Sequence, residues 1–169
     1  MPEIRILTSV APHLGDLSEL LIDAVEKGAG VSFLHPLSRA DADRFWLGHE
    51  ASIKSGQTIQ FGTFIEERLV GTVQLKLSWA PNQKHHADVS KLLVLSTHRR
   101  HGVATHLMRA LEDKARSFNQ TLLTFDASAR GPVEAFYKRL GYTCVGYFPG
   151  YALSSTGVME DTALFYKKL

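Results

Sequence analysis

The amino-acid sequence predicts an α/β fold of the α+β type, organised as a single domain over residues 1–169. Apolar residues recur with helical spacing in some stretches and with strand spacing in others. The predicted order is strand, helix, helix, three strands, helix, strand, helix, strand, strand. A short polar segment joins two of the three consecutive strands, which predicts a hairpin and therefore antiparallel pairing. Of the 169 residues, 44% are hydrophobic, which is enough to bury a sizeable core.

The N-terminal third is predicted to be one strand followed by two helices. The strand covers Ile4–Leu7, and the first helix covers Asp16–Lys27, with glycines directly after it that end the helix. The loop that follows, Gly28–Phe33, is a candidate lip over a substrate. Ser38 suits the N-cap of the second helix, which the apolar spacing continues to near Gly56.

Three antiparallel strands are predicted in the middle of the chain. Thr58–Ile65 and Leu69–Trp79 are β-rich runs, and Glu66–Arg68 forms the polar turn between them. The third strand is Ala87–Leu95, which leads through a basic turn into a helix predicted at Ala104–Phe118.

The C-terminal third is predicted to contain one helix between strands. The strand Thr121–Phe125 precedes a helix that Pro132 opens, because proline suits a first helical turn, and that ends at Gly141. The last two strands are predicted at Thr143–Phe148 and Ala163–Lys167.

The turn between the third middle strand and its helix, within Leu92–Met108, has the features of a phosphate site. The first N–H groups of a helix lack partners within the helix and lie at the positive end of its dipole. Gly102 has no Cβ, and Ala104 keeps the first turn slim, so a ligand can approach the backbone. The chain has neither the G-x-x-x-x-G-K-[ST] loop nor the dinucleotide motif G-x-G-x-x-G.

Charge and cysteine content exclude several classes of protein. The net charge is +2, from 19 basic and 17 acidic residues without a long run of like charge, so no nucleic-acid partner is expected. Cys144 is the single cysteine, which rules out an intramolecular disulfide and suggests a cytoplasmic protein. The first residues do not resemble a secretion signal. No apolar run approaches the ~20 residues that cross a bilayer, so no membrane association is expected.

The basic turn and a later helix together resemble the GNAT superfamily of N-acetyltransferases. Arg99-x-x-Gly102-x-Ala104 is similar to the superfamily signature [Q/R]-x-x-G-x-[G/A]. The later helix matches a second superfamily pattern at Val133, Phe136, Tyr137, Gly141 and Tyr142. The resemblance implies a mixed, mostly antiparallel central sheet that is splayed into a V, flanked by about four helices, with acetyl-coenzyme A (acetyl-CoA) in the split.

Four further runs resemble the tabtoxin resistance group of these enzymes, which acetylate a small amino-acid-like β-lactam toxin. The runs are Gly28–Phe33, Ala87–Leu92, Glu134–Tyr137 and Phe148–Tyr151. The resemblance implies a similar small polar amine as substrate and favours acidic residues at Asp88 and Asp126.

The acetyl-CoA site is predicted from the turn and from the strand before it. Backbone amides of the turn would hold the pyrophosphate, and the strand edge would hold the pantetheine arm by strand-like addition, with an N–H near Val94 as the oxyanion donor. The candidate residues are Leu93, Val94, Leu95, Arg99, Arg100, His101, Gly102, Val103, Ala104 and Thr105.

Three side chains are predicted to carry the chemistry. Tyr137 is the candidate general acid, because a phenol with a pKa of ~10 is protonated at neutral pH and can meet a developing thiolate. Asp88 and Asp126 lie near the ends of neighbouring strands and could bind an ammonium group and take its proton. Phe33 and Tyr151 are further candidates for acceptor binding. In the later helix, we expect Val133, Phe136 and Leu140 to face inward, with Tyr137 at the margin of that stripe.

No metal is expected. A metal site prefers ligands on facing positions, and the histidines lack that spacing. We therefore predict solvated side chains for His85, His86, His98, His101 and His106. Cys144 is expected to pack in a strand.

Three functions are compatible with these features. The favoured one is an N-acetyltransferase that acts on the amine of a small polar molecule, with a homodimer as a candidate assembly. The others are a non-catalytic acetyl-CoA-binding regulatory module and an acetyltransferase for protein N-termini or lysines. Long predicted loops at Gly28–Leu37 and Phe148–Met159 favour a small acceptor, because they could close over it.

Overall fold

The computed structural model describes residues 2–169, which form a seven-stranded sheet with helices on both faces. The strands are β1 (Glu3–Leu7), β2 (Thr58–Ile65), β3 (Arg68–Leu77), β4 (His86–Val94), β5 (Leu122–Ser128), β6 (Thr143–Leu153) and β7 (Met159–Lys168). Their order in the sheet is β1-β2-β3-β4-β5-β7-β6. The helices are α1 (Leu14–Glu26), α2 (Arg39–Leu47), α3 (Glu50–Lys54), α4 (Val103–Ser117) and α5 (Pro132–Arg139).

The sheet is split between β4 and β5. These two strands are parallel and pair only from His86 with Leu122 to Asp88 with Thr124, whereas every other neighbouring pair is antiparallel. Beyond Asp88, β4 continues to Val94 without a partner on this side, and β5 continues to Ser128. The predicted fold class, a mixed and mostly antiparallel sheet opened like a V, is therefore confirmed.

Two apolar clusters cover opposite faces of the sheet. The α4 cluster contains Leu107, Met108 and Leu111 packed on Val73, Leu75, Ala87, Val89, Leu123 and Phe125. The α1 cluster contains Leu17, Leu20 and Leu21 with Trp46, Phe64 and Leu69. Side chains of a strand alternate between faces, so Lys76, Asp88, Thr124 and Asp126 lie on the face opposite α4.

A bulge interrupts this alternation in β4. Ser90 pairs with Gln74 and Leu93 pairs with Thr72, so Lys91 and Leu92 together oppose one residue of β3. Lys91 has a φ of 51°, in the left-handed region that lysine rarely adopts. Without the bulge, position 91 would share the face of Ala87 and Val89 in the α4 cluster. The bulge instead turns Lys91 to the opposite face.

Buried polar side chains hold β2, β3 and β4 in register beside the bulge. Gln74 Nε2 donates to Gln60 Oε1 at 2.8 Å, and Ser90 Oγ donates to Gln74 Oε1 at 2.9 Å. Thr72 Oγ1 donates to the Phe61 carbonyl at 2.6 Å. Gln60, Thr72 and Gln74 are fully buried. Buried polar groups cost free energy unless they are hydrogen-bonded, so this chain of bonds disfavours other registers.

The prediction of one second helix that continues to near Gly56 is wrong, because this segment forms two helices, α2 and α3. Ser38 caps α2 as expected, and its Oγ accepts from the Asp41 amide at 3.1 Å. The helix ends at Gly48, a residue of low helix propensity. In a continuous helix, the His49 amide would donate to the Phe45 carbonyl. Here the His49 amide donates to the Trp46 carbonyl, and the side-chain Nδ1 of His49 lies 2.9 Å from the Phe45 carbonyl.

The predicted inward face of α5 is wrong for Val133 and Tyr137, whereas Phe136 and Leu140 pack against the α4 cluster as expected. Val133 is 45% exposed, whereas Tyr137 is 7% exposed and is the buried apolar member of the helix. The Tyr137 ring lies 4.3 Å from Phe125 and 5.5 Å from Phe165, measured between ring centroids. This aromatic cluster rotates α5 so that its tyrosine, rather than its valine, faces the sheet.

The C-terminal strands are longer than predicted. β5 extends past Phe125 to Ser128, so Asp126 lies within a strand. β6 and β7 form a long hairpin whose turn is only 154–158. The expected loop at Phe148–Met159 is therefore mostly strand, because a bulge between Phe148 and Ala152 accommodates the proline and glycine that suggested a break. Within residues 2–169, no helix combines the length and apolar character needed to span a membrane.

Gly71 sets the spacing between β3 and the start of α4, which gives a testable prediction. A Cβ at this position would lie 2.9 Å from Val103 Cγ1 and 3.2 Å from Leu107 Cδ1. We expect Gly71→Ala to lower the free energy of unfolding by about 1–3 kcal/mol, because overpacking displaces the helix. Urea unfolding measures this change.

Gly15→Ala is the matched control. Its Cβ would meet nothing closer than 3.7 Å, and the residue lies in α1. This variant should be as stable as the unsubstituted protein or more stable by up to about 1 kcal/mol. Equal stability of the two variants would contradict the assigned contact.

Candidate functional site

The turn before α4 presents free backbone amides. Gly102 is the N-cap residue with a φ of 80°, and no side chain caps the helix. The His106 amide donates to the Gly102 carbonyl at 3.0 Å, which leaves the amides of Val103, Ala104 and Thr105 without partners inside the helix. Together with the helix dipole, these amides can bind a phosphate group. The positive φ explains why glycine is present at position 102.

Arg99 and its neighbours have different placements in this turn. The Arg99 side chain folds back, with Nε donating to the Val94 carbonyl at 3.2 Å and Nη2 at 3.9 Å from Asp23 Oδ2. Arg100 and His101 are exposed beside the free amides, and Arg100 has a φ of 64°. Arg100 and His101 therefore lie beside the free amides without contacts to β4, while Arg99 ties the turn to β4.

Asp23 of α1 is a supporting residue that sequence reasoning missed. Its carboxylate accepts from the Ser96 amide at 2.8 Å and from Ser96 Oγ at 2.6 Å, at the end of β4. The contact joins residues that are 73 apart in the chain, so no local pattern could reveal it. Asp23 fixes the direction in which the chain leaves β4 and enters the turn.

The open edge of β4 offers backbone groups to the split. The Leu95 amide donates to the Val70 carbonyl of β3 at 3.0 Å. Because backbone groups of successive strand residues point to opposite edges, the Val94 N–H faces the split. The side chains of Leu93 and Leu95 are buried in the α1 cluster, so these two residues support the strand.

Tyr137 lies on the α4 side of the sheet, in the aromatic cluster with Phe125 and Phe165. Burial raises the pKa of its hydroxyl above the ordinary tyrosine value, and the charge of Asp126 raises it further. The phenol is therefore protonated at neutral pH. Among residues 2–169 we find no hydrogen-bond partner for this hydroxyl.

Asp88 and Asp126 lie on the other face, where β4 and β5 separate. Thr124 Oγ1 donates to Asp88 Oδ1 at 2.5 Å and lies 2.6 Å from His86 Nε2. Asp126 is two residues beyond Thr124 on the same face of β5, and its carboxylate is exposed. The two carboxylates thus flank the point at which the V opens.

The loop after α1 passes over the open end of the split. A Cβ on Gly30 would lie 2.6 Å from Ser128 Oγ, so the loop touches the end of β5. The His35 amide donates to the Ser155 carbonyl at 2.8 Å, in the turn of the β6–β7 hairpin. Phe33 packs edge-on against Phe45 of α2, with a ring-centroid distance of 5.2 Å.

Tyr151 is placed differently from the other acceptor candidates. It lies on the hairpin, 61% exposed, with its ring stacked on Phe148 at 5.5 Å. Cys144 lines a separate surface cavity beside α5 and β6 that contains none of the candidate site residues.

The prediction that all five histidines are solvated is wrong for His86. Its side chain is 18% exposed and joins the Thr124 and Asp88 network. The cross-strand pairing of β4 and β5 buries it, which the sequence pattern does not reveal. Within the described chain, no group of three or more His, Cys, Asp or Glu side chains is arranged to hold a metal ion.

Comparisons with known sequences identify the family of this chain. The profile described as the Acetyltransferase (GNAT) family matches residues 21–142. The chain is 30% identical over 124 residues to an uncharacterized N-acetyltransferase in the hisH-hisA intergenic region of Azospirillum brasilense, and the match covers 72% of each protein.

Solved structures share the fold at lower identity. The ribosomal-protein-alanine N-acetyltransferase from Brucella melitensis is 21% identical, with a TM-score of 0.81 and 99% of both chains covered. An N-acetyltransferase from Staphylococcus aureus Mu50 is 14% identical, with a TM-score of 0.82, covering 99% of this chain and 98% of the other. GNAT acetyltransferases use acetyl-CoA. Because the family profile covers most of the chain and the Azospirillum relative supports it, the protein belongs to the Acetyltransferase (GNAT) family and is an N-acetyltransferase.

Proposed function

We propose that the protein transfers an acetyl group from acetyl-CoA directly to the amine of a small polar molecule, with Tyr137 as the general acid. The observation that supports this most is the placement of Tyr137. It is a buried phenol that packs against Phe125 of β5, and the neighbouring residue Asp126 carries a charge that helps to raise its pKa. We therefore propose that the acid and the base act from opposite faces of the sheet at one opening.

The acetyl-CoA site uses the free amides and the open strand edge. Acetyl-CoA supplies an acetyl group that is activated as a thioester. The amides of Val103, Ala104 and Thr105 bind the pyrophosphate, Arg100 adds positive charge, and the exposed His101 ring can donate a hydrogen bond. The open edge of β4 binds the pantetheine arm through backbone hydrogen bonds. The Val94 carbonyl already accepts from Arg99, so Val94 contributes its N–H.

The proposed transfer assigns one task to each residue. Asp126, assisted by Asp88, binds the acceptor ammonium and takes its proton through water, so that the neutral amine nitrogen can form the new bond to the acetyl carbon. The Val94 N–H stabilises the negative charge that develops on the carbonyl oxygen. As the carbon–sulfur bond breaks, the Tyr137 hydroxyl gives its proton to the departing thiolate. The nitrogen loses its second proton to water as the amide forms, and a proton from water restores the Tyr137 hydroxyl. Burial that keeps the phenol protonated also raises the proton affinity of a thiolate formed beside it.

A small acceptor is favoured by the covering of the site. The loop after α1 contacts both β5 and the tip of the β6–β7 hairpin, which narrows the opening on the acceptor face. The likeness of four sequence runs to the tabtoxin resistance group points to an amino-acid-like or β-lactam acceptor. The Brucella structure carries the name of an enzyme for a ribosomal protein, but at 21% identity it supports the fold rather than the substrate.

Tyr137→Phe tests the general acid. We expect kcat to fall about a hundredfold or more, because the departing thiolate loses its proton donor, while the dissociation constant for acetyl-CoA stays the same. Steady-state thiol release and calorimetry measure the two quantities. In the unsubstituted enzyme, the raised pKa of Tyr137 means that its ionisation does not reduce kcat up to about pH 10.

Tyr147→Phe is the matched control for loss of one hydroxyl. Tyr147 donates to Glu134 at 2.9 Å and has no assigned role in transfer. An unchanged kcat in Tyr137→Phe would remove Tyr137 from the mechanism.

Asp126→Asn tests the proposed base. We expect kcat/KM for the acceptor to fall about a hundredfold across the pH range, because the amide cannot take a proton. Asp113→Asn, an exposed carboxylate on α4 that pairs with Arg116 at 3.0 Å, should have the activity of the unsubstituted enzyme. Full activity of Asp126→Asn at all pH values would rule out the base role.

Gly102→Ala tests the pyrophosphate site. A Cβ there strains the backbone at a φ of 80° and lies 3.4 Å from the His106 ring, so we expect acetyl-CoA binding by calorimetry to weaken at least about tenfold. Gly56→Ala introduces the same kind of strain, at a φ of 75°, in open space away from the site. Both variants should lose about 1–2 kcal/mol of stability. Equal acetyl-CoA affinity in the two variants would contradict the assigned site.

A further inference from the structure

Two half-buried lysines on the acceptor face have no ion pair. Lys91 Nζ donates to the Val31 carbonyl at 3.2 Å and to Ser32 Oγ at 3.3 Å, and it lies 5.3 Å from the centre of the Phe45 ring. These partners are uncharged. No carboxylate forms an ion pair with Lys91 or Lys76 in the part of the chain that the structure describes.

Two lysines elsewhere in this protein compensate buried carboxylates. Lys167 Nζ lies 2.8 Å from Glu112 Oε2, and Lys138 Nζ lies 2.7 Å from the buried Glu134 carboxylate. Partly buried charges are costly unless they are paired. Lys114 is a further half-buried lysine without an ion pair among the described residues, and its Nζ lies 4.6 Å from the centre of the Phe118 ring. Lys76 and Lys91 differ from Lys114 because the two of them lie on one face of the sheet.

Burial lowers the pKa of both lysines. The charge of Lys76 lowers the pKa of Lys91 further. Burial is the main cause that lowers the pKa of the half-buried His49, and the charges of both lysines lower it further. Asp126 opposes this effect at Lys91, and Asp88 opposes it at Lys76. Lys76 and Lys91 therefore form a region of incompletely balanced positive charge, and the lowered pKa of His49 keeps that side chain neutral at neutral pH.

The backbone places this charge beside the proposed transfer site. Lys76 pairs with Asp88 in the register of β3 and β4, so the two side chains share a face at the mouth of the V. The bulge turns Lys91 to the same face, with a φ of 51°. Such a conformation is disfavoured for lysine, and strained backbones often occur at functional sites. Asp126 lies across the opening from Lys91, on β5.

We infer that Lys91 and Lys76 form a subsite for an anionic group of the acceptor, so that the acceptor is an amine that also carries a carboxylate, as an amino acid does. This inference rests on the proposed function, because it places the acceptor amine at Asp126. The acceptor ammonium is then bound by carboxylates and its carboxylate by lysines. Lys91 has one N–H donor left after its two contacts, and Lys76 has three.

The two charged contacts would fix the orientation of the acceptor. The ammonium group of the acceptor binds the carboxylates of the protein, and the carboxylate of the acceptor binds the lysines. The amine is directed to the split, and the carboxylate is directed to the face beneath α2 and the loop after α1. A neutral or cationic amine lacks the second contact, so this arrangement selects against it.

The experiment uses the full-length enzyme and matched acceptor pairs. Each common amino acid and its carboxamide are tested as acceptors by thiol release from acetyl-CoA. Lys91→Gln retains a donor for the Val31 carbonyl but removes the charge, and Lys76→Gln is an independent second variant. Lys84→Gln, at an exposed position outside the site, is the control.

We expect one or more amino acids to be better acceptors than their carboxamides. Each of the two variants should lower kcat/KM for the amino acid about 10- to 100-fold while leaving kcat/KM for the carboxamide unchanged, since only the charged group loses a charge-assisted hydrogen bond. Lys84→Gln should change neither value.

Two other outcomes separate the inference from the proposed function. If Lys91→Gln and Lys76→Gln lower kcat/KM equally for the amino acid and its carboxamide, or lower neither value, the proposed anion subsite is wrong. The proposed transfer to small amines would still stand. If acetyl-CoA binds by calorimetry but no small amine of any charge is acetylated, the proposed function itself fails, and the subsite fails with it.

Discussion

The separation of β4 and β5 after three residue pairs is the constraint on which the rest of the site depends. A backbone N–H or C=O in a sheet needs a partner, and an unpaired group removed from water costs free energy. Beyond Asp88, the backbone groups on the facing edges of β4 and β5 no longer pair with each other. They can bind water or a ligand whose own backbone-like amides take the place of a strand. The split thus supplies a binding surface without requiring special side chains along it.

Side-chain chemistry is concentrated around this backbone opening. The α4 face contributes Tyr137, whose ring is buried in an aromatic cluster. The opposite face contributes Asp88, Asp126 and the unpaired lysines. In the proposed mechanism, the sheet therefore separates Tyr137 from the two carboxylates, which approach each other only where the strands diverge.

Local backbone strain marks both ends of the open strip of β4. Lys91, in the bulge, has a φ of 51°, and Arg100 and Gly102 in the turn have φ values of 64° and 80°. Only one of these three residues is a glycine, so the other two raise the energy of the folded chain. The hydrogen-bonded glutamines beside the bulge and the bonds of Asp23 to Ser96 help to hold this strained path in place.

The sequence by itself determined the fold class, most helices and strands, and the uncapped turn at Gly102, because these depend on apolar periodicity and on local backbone preferences. It also placed Tyr137, Asp88 and Asp126 on elements that converge. Only the tertiary structure decided which face of α5 is buried, where His86 lies, and that Asp23 supports the turn. It also decided that the bulge in β4 turns Lys91 to the face of the sheet opposite α4. Each of these depends on pairing between residues far apart in the chain, and such pairing leaves no periodic signal in the sequence.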